Sequence, residues 1–150
     1  MPYRTKLFNI SQPVHLISRA VEGRDIFKAD DDCCRFIFQM YAANIGSPGA
    51  NLRRKDVAKA AKAILDGDDI FPSKLIIKKH PPLVHFLDFS LVVNHYHFQV
   101  IPTSEENIPL YIKKLNGGFA KYFNMKYGRK GSLFGSRYKG VSVETDFQLN

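Results

Sequence analysis

The sequence lacks several features that would place it in common classes of protein. No stretch approaches the about 18 uninterrupted apolar residues that read as a membrane span, and the first eight residues contain no long apolar core of a secretory signal. Cys33 and Cys34 are the only cysteines, and a trans peptide holds adjacent Cα atoms about 3.8 Å apart, below the range that disulfides prefer. We therefore expect free thiols in a cytoplasmic protein with no membrane partner.

Acidic residues are missing from a long stretch near the end of the chain. None lies between Glu106 and Glu144, although the chain has 14 Asp and Glu against 22 Lys and Arg. The excess of basic over acidic residues in this stretch equals the whole net charge of +8. A concentrated excess favours a surface that binds nucleic acid, and the alternative is a solvated cationic helix and loop. The residues that we predict to bind are Lys113, Lys114, Lys121, Arg129, Lys130, Arg137 and Lys139.

Aromatic residues are interleaved with these cations. Phe119 and Phe123 keep helical spacing, which favours a place in the core. Tyr127, Phe134 and Tyr138 remain candidates for stacking on bases. Cations mixed with aromatic rings suit single-stranded nucleic acid, because its backbone is charged and its bases are open to stacking.

The order of periodic segments predicts the fold class. With 150 residues and 45% hydrophobic content, the chain suits a single domain spanning residues 1–150. We predict strands at 14–21, as a pair within 83–101, and at 138–145, with helices starting near 30, 55 and 108. This order favours a ferredoxin-like α+β sandwich in which an antiparallel sheet carries helices, with the His95 strand central.

A His-x-His pair is the sharpest local motif. Residues two apart on a strand face the same way, so His95 and His97 could hold a divalent metal with Gln99 as a polar neighbour. The alternative is a half-buried pair of histidines with no metal. His15 could add a third ligand if its strand runs beside His95, or could be an ordinary strand histidine.

Other chemistry is weakly supported. The loop from Gly128 to Gly135 lacks the Gly-Lys-Ser/Thr ending of a P-loop. Cys33 falls at an apolar helical position, which favours a buried thiol over a nucleophile. A small metal-dependent oxygenase would explain the histidine pair but not the block of cations.

Several segments together resemble the REP-associated tyrosine transposases of the single-tyrosine HUH transposase superfamily. They run in the family's order across most of the chain, which is far more specific than His-x-His alone. The matching segments are Val14-His-Leu-Ile-Ser-Arg-Ala, Asp25-Ile-Phe, Asn94-His-Tyr-His, Leu115-Asn-Gly-Gly-Phe-Ala-Lys-Tyr-Phe-Asn, Gly131-Ser-Leu-Phe, Arg137-Tyr-Lys and Val143-Glu.

The resemblance implies an enzyme, a DNA transposase or single-strand endonuclease that binds single-stranded or hairpin DNA. His95 and His97 would be the catalytic and metal-binding HUH histidines, holding Mg²⁺ or Mn²⁺ on the scissile phosphate. In the family a helix tyrosine attacks the phosphodiester and forms a link that allows rejoining. The alternative is a non-catalytic nucleic-acid-binding relic of such an enzyme.

The resemblance also has two departures. Val93 stands where the family usually has proline before the metal motif. In relatives the nucleophilic tyrosine lies on a helix after the Arg-Tyr-Lys strand, whereas no tyrosine follows Tyr138 in this sequence. We therefore expect the chain to lack that helix, and the nucleophile stays unassigned. Relatives include monomers and dimers, so a homodimer is one of the expected states.

Overall fold

The computed structural model describes residues 8, 10, 12–135 and 137–143. A short 3₁₀ turn, Val21–Gly23, follows the first strand. The strands and helices in chain order are β1 Val14–Arg19, α1 Asp30–Ile45, β2 Ser47–Pro48, α2 Arg54–Leu65, α3 Ile70–Lys74, β3 Ile76–Ile77, β4 Val84–Val92, β5 His95–Pro102, α4 Asn107–Tyr127 and β6 Lys139–Ser142.

Four strands form one antiparallel sheet in the order β4-β5-β1-β6. Leaving aside the segment between α1 and β4, the chain runs β1-α1-β4-β5-α4-β6, which is the βαββαβ arrangement of ferredoxin-like folds. The predicted α+β sandwich is therefore confirmed. β5 lies between β4 and β1, so the predicted central position of the His95 strand is also confirmed.

The two faces of the sheet differ because side chains alternate along each strand. On one face Tyr96, Phe98 and Val100 of β5 are fully buried and form a core with α1 and α4. The other face of β5 carries the half-buried His95 and His97. We call this second face, which α1 and α4 do not cover, the open face.

The helix predicted to start near residue 108 is α4, and Phe119 and Phe123, which we expected in the core, are fully buried on it. α4 buries residues at helical spacing against the sheet and α1. The helix continues through Gly117 and Gly118. Glycine is needed at position 118, because the buried Gln39 of α1 occupies the space that a side chain would need. A glycine pair that disfavours a helix locally thus allows two helices to pack closely.

The segment between α1 and β4 makes a second, smaller core that the sequence did not predict. α1 is apolar on two sides, since Phe36 and Met40 face the sheet while Phe38 and Ala42 face α2. Cys33, which we expected to be a buried thiol, is only partly buried, as are Ile37 and Tyr41. The second core also takes residues from α2 and β3, namely Val57, Ala60 and Ile76.

Two predicted strand boundaries change. β1 ends at Arg19 rather than near residue 21, because the chain turns at Glu22, where φ is 56°. The last strand covers Lys139–Ser142, while Glu144 and Thr145, and the expected lack of a helix after them, lie outside the described residues. Within the described part of the chain, no helix is long and apolar enough to cross a membrane.

Candidate metal centre and nucleic-acid surface

β5 places His95 and His97 side by side on the open face. Their Nε2 atoms are 3.1 Å apart and the ring centroids are 4.9 Å apart. Two adjacent ligands of an octahedral ion at about 2.1 Å lie about 3.0 Å apart. The pair therefore has the spacing of two neighbouring positions in the shell of one divalent ion.

Asn94 orients the first of these imidazoles. Nδ1 of His95 lies 2.7 Å from the side-chain oxygen of Asn94. An amide oxygen can only accept, so a neutral His95 carries its proton on Nδ1 and leaves a lone pair on Nε2. That lone pair points at His97, and a hydrogen-bonded second nitrogen of this kind is typical of metal-binding histidines.

His15 meets His97 from the neighbouring strand β1. The register puts His15 opposite Gln99 and Ile17 opposite His97, and Nε2 of His15 lies 3.2 Å from Nδ1 of His97. His15 thus contacts the nitrogen of His97 that is turned away from His95. This geometry favours an orienting role for His15 over the third-ligand role that the sequence left open.

Two lone pairs cannot face each other at this distance, so either a hydrogen-bonding proton or a metal ion must lie between the two Nε2 atoms. Without a metal, His97 can donate its Nε2 proton to His95 and accept a proton from His15. With a metal, His97 can instead donate from Nδ1 to His15, which frees both Nε2 lone pairs. The donor set therefore fits a divalent ion held by two imidazoles. Among the described residues no three His, Cys, Asp or Glu side chains are grouped to hold one ion, so other positions would fall to water and substrate oxygen.

Arg19 is a neighbour of the histidine pair that the His-x-His pattern did not indicate. It is exposed on the open face and pairs with His95 across β1 and β5. Burial, and then the charge of Arg19, lowers the pKa of His95. Burial and the adjacent His95, His15 and Arg19 likewise lower the pKa of His97. Both shifts favour the neutral imidazole, which is the form that binds metal. The signal was present in the alternation of His15, Ile17 and Arg19 along β1.

A second polar cluster lies on the other side of the sheet, between α1 and α4. Its centre is Asp32, whose side chain is fully buried. Burial alone would raise the pKa of Asp32, but the hydrogen bonds to Lys126, Tyr127 and Tyr122 outweigh it and lower the value. The five donors to Asp32 are the backbone amides of Lys28 and Ala29 at 3.0 and 3.1 Å, the hydroxyls of Tyr122 and Tyr127 at 2.9 and 2.6 Å, and Nζ of Lys126 at 2.7 Å.

The predicted nucleic-acid-binding cations do not share one surface. Lys113 and Lys121 are exposed on α4, and Lys130 and Arg137 are exposed in the segment between α4 and β6. Lys139 lies opposite Ile17 and so stands on the open face. Two others have local partners: Lys114 contacts Nε2 of His80 at 2.9 Å, and Arg129 donates to the carbonyl oxygen of Ser132 at 2.9 Å.

The aromatic candidates for stacking pack inward. Tyr127, Phe134 and Tyr138 are partly buried against the main core, because the ring of Tyr127 lies 4.6 Å from that of Phe123 and Phe134 meets Tyr96 edge-on at 5.9 Å. All three rings keep part of their surface exposed, and stacking on bases stays a prediction.

None of the tyrosines that the structure describes stands on the open face. Tyr96 and Tyr111 are fully buried in the core on the helix side. Tyr122 and Tyr127 donate their hydroxyl protons to Asp32. Tyr138 packs against the main core and Tyr41 against the second one, so the described residues supply no tyrosine nucleophile beside the histidines.

No family model and no curated protein matches the sequence. Among solved structures, the chain is similar to a crystal structure of a protein from Deinococcus radiodurans R1 that is provisionally described as a transposase. The match covers 99% of this chain and 88% of that chain, with 15% sequence identity and a TM-score of 0.48.

Proposed function

We propose that the chain is a transposase-type DNA-processing domain that binds single-stranded or hairpin DNA on its open face and holds Mg²⁺ or Mn²⁺ between His95 and His97. One observation carries the proposal: two oriented imidazoles face each other with Nε2 atoms 3.1 Å apart. The net charge of +8 supports an anionic partner.

Three polar neighbours of the histidine pair have a part in this function. Asn94 and His15 fix the rings of His95 and His97, so that both lone pairs converge on one point. The exposed guanidinium of Arg19 is placed to bind a phosphate oxygen beside that point. A bound divalent ion would act as a Lewis acid on the phosphate and stabilise the charge that develops during cleavage.

The tyrosine step of the proposal needs a nucleophile from outside the described residues. A tyrosine hydroxyl would attack phosphorus and form a phosphotyrosine bond while the strand oxygen leaves, and the reverse attack by a strand hydroxyl would rejoin the DNA. Every tyrosine in the described ranges packs into one of the two cores. This observation favours the second candidate, a DNA-binding domain that does not cleave by itself.

Calorimetry with Mn²⁺ tests the metal site. We expect one weak site in the unaltered chain, because two imidazoles leave most of an octahedral shell to water. His95→Ala and His97→Ala should each abolish it. His85→Ala is the matched control, since His85 is exposed on β4, and it should leave binding unchanged. Equal Mn²⁺ affinity in all four proteins would reject the site.

A labelled oligonucleotide separates the two candidate functions. The unaltered chain, incubated with single-stranded or hairpin DNA and Mn²⁺, should form a covalent adduct if it is a competent transposase domain. Binding with neither adduct nor nicking would identify the non-cleaving DNA-binding domain. If the unaltered chain binds no DNA at low salt, both candidates are rejected, because phosphate contacts are strongest at low salt.

A further inference from the structure

A cavity opens on the helix side of the molecule, between α1, the start of α2 and α4. Its volume is about 350 Å³, within the range of small-molecule sites. The sheet separates it from the histidine pair. Its lining includes three basic side chains, Arg35, Arg54 and Lys126, and three apolar or aromatic ones, Leu52, Val57 and Tyr122. We call it the α1–α2 pocket.

The charges of the α1–α2 pocket are unbalanced. Among the described residues that line it, Asp31 is the only acidic one. Its carboxylate lies 2.9 Å from the Arg54 guanidinium and 3.0 Å from the Lys126 ammonium. Lys126 also contacts Asp32 at 2.7 Å. Arg54 and Lys126 therefore have carboxylate partners, whereas the charge of Arg35 has none within the described residues.

Arg35 is the group that points to a ligand. Its Nε is buried and makes no hydrogen bond, and its guanidinium lies 5.2 Å from the ring centre of Tyr122. Burial lowers the pKa of Arg35, which reflects a charge held in a poorly solvated place. A charge without a counter-ion in a poorly solvated place is costly, so an anion that enters the pocket and meets the guanidinium would supply the missing partner.

The rest of the α1–α2 pocket suits a ligand with a flat apolar part. Leu52 and Val57 offer an aliphatic wall, and Val57 is largely buried. The N-cap residue of α2, Arg53, makes no side-chain cap bond, so the positive end of the α2 dipole adds to the cationic side. An anionic group at Arg35 and a planar ring on the aliphatic wall would use both halves.

We propose that the α1–α2 pocket binds a nucleotide unit, with the phosphate on Arg35 and Arg54 and the base against Leu52 and Val57. The choice of a nucleotide rests on the proposed DNA-related function, but the pocket is spatially separate from the histidine pair. The nucleotide can come from a DNA strand or be free, and the experiment distinguishes these sources.

An NMR titration of the whole chain with deoxyadenosine monophosphate tests the pocket. Backbone amides of residues 31–35 and 52–57 should shift saturably, and both inorganic phosphate and deoxyadenosine should bind more weakly. Arg35→Met keeps the aliphatic stem and removes the charge, so nucleotide affinity should fall about tenfold or more. Lys74→Met removes an exposed charge on α3 and should change affinity by less than about twofold.

Three results would overturn the proposal. They are no saturable shift at these amides, equal affinity of Arg35→Met and the unaltered chain, and phosphate alone binding as tightly as the nucleotide. If Arg35→Met fails to fold, Arg54→Met takes its place, because the Arg54 side chain is 79% exposed, and it should also weaken binding. A shared loss of oligonucleotide affinity in these variants indicates a strand nucleotide, whereas unchanged oligonucleotide affinity indicates a free one. Failure here with intact Mn²⁺ and DNA binding would leave the proposed function standing.

Discussion

The two polar clusters on opposite sides of the sheet differ in how completely they are satisfied. Asp32 sits at full burial with five donors around its two carboxylate oxygens, and its charge is matched by Lys126. The histidine network on the open face is half-buried and runs from Asn94 through His95 and His97 to His15. Its two central nitrogens, Nε2 of His95 and Nε2 of His97, face each other at 3.1 Å.

This difference separates a structural cluster from a binding one. A buried network with every donor and acceptor paired fixes the packing of α1 against α4 and leaves nothing for a ligand to add. The half-exposed imidazoles of His95 and His97, in contrast, are stabilised when a cation binds between their Nε2 atoms. The same kind of polar grouping thus has opposite consequences, and substitutions on the two sides should change different properties.

Removing the Asp32 carboxylate should have the largest effect on stability. Asp32→Ala leaves two tyrosine hydroxyls and the amides of Lys28 and Ala29 without their acceptor. It also leaves Lys126 with Asp31 as its one remaining carboxylate, so unfolding free energy should fall by about 3–5 kcal/mol. Asp66→Asn is the matched control, because its pair with Lys62 is exposed and is worth at most about 0.5 kcal/mol. Urea unfolding of both variants gives the comparison. Equal small losses would show that the Asp32 cluster is not the structural one.

Substituting His15 should reduce metal affinity while leaving stability almost unchanged. His15→Ala removes the partner of Nδ1 in His97, and outer-shell substitutions of this kind cost about 10- to 100-fold in metal affinity. His15→Gln should restore part of the loss, since its amide oxygen can accept from the same nitrogen. Mn²⁺ calorimetry measures the change. Unaltered affinity in His15→Ala would mean that His97 is oriented without it.

Acid should reveal the Asp32 cluster by a smaller effect. The folded pKa of Asp32 lies below its ordinary value of 3.8, so below about pH 5 the folded state binds fewer protons than the unfolded chain. The stabilisation by ionised Asp32 is therefore complete above about pH 5 and is lost as the pH falls through the folded pKa. Urea unfolding at a series of acidic pH values should show a steeper loss in the unaltered chain than in Asp32→Asn. A parallel loss in both would contradict this shift.

The smallest expected effect concerns the salt dependence of DNA binding. Lys139 stands on the open face beside Ile17, so Lys139→Met should reduce the slope of log affinity against log salt by about 0.7 for single strands. Lys121→Met, on the exposed side of α4, should leave the slope unchanged. Fluorescence anisotropy over a salt series measures both. A change with Lys121→Met alone would place the DNA on the helix side.

Local patterns were enough to predict the α+β fold and its longest elements. The apolar stripe of α4 and the alternation in β5 appear directly in the sequence, because each follows from the period of one element. The second core was missed because α1 uses two apolar sides. Whether a residue such as Phe38 is buried in the main core or in the second core depends on where α2 packs. The position of α2 is determined by tertiary contacts, which the local pattern does not contain.

The candidate site shows the same division. The sequence by itself determined that His95 and His97 share a face, since residues two apart on a strand always do. Only the tertiary structure decided that β1 runs beside β5, which brings His15 and Arg19 to the pair. It also decided that α1 meets α4, so that Lys126, Tyr122 and Tyr127 all donate to Asp32. Spacing along one strand is a local property of the chain, whereas partners such as Arg19 and His95, 76 residues apart, are fixed only when the sheet and helices pack together.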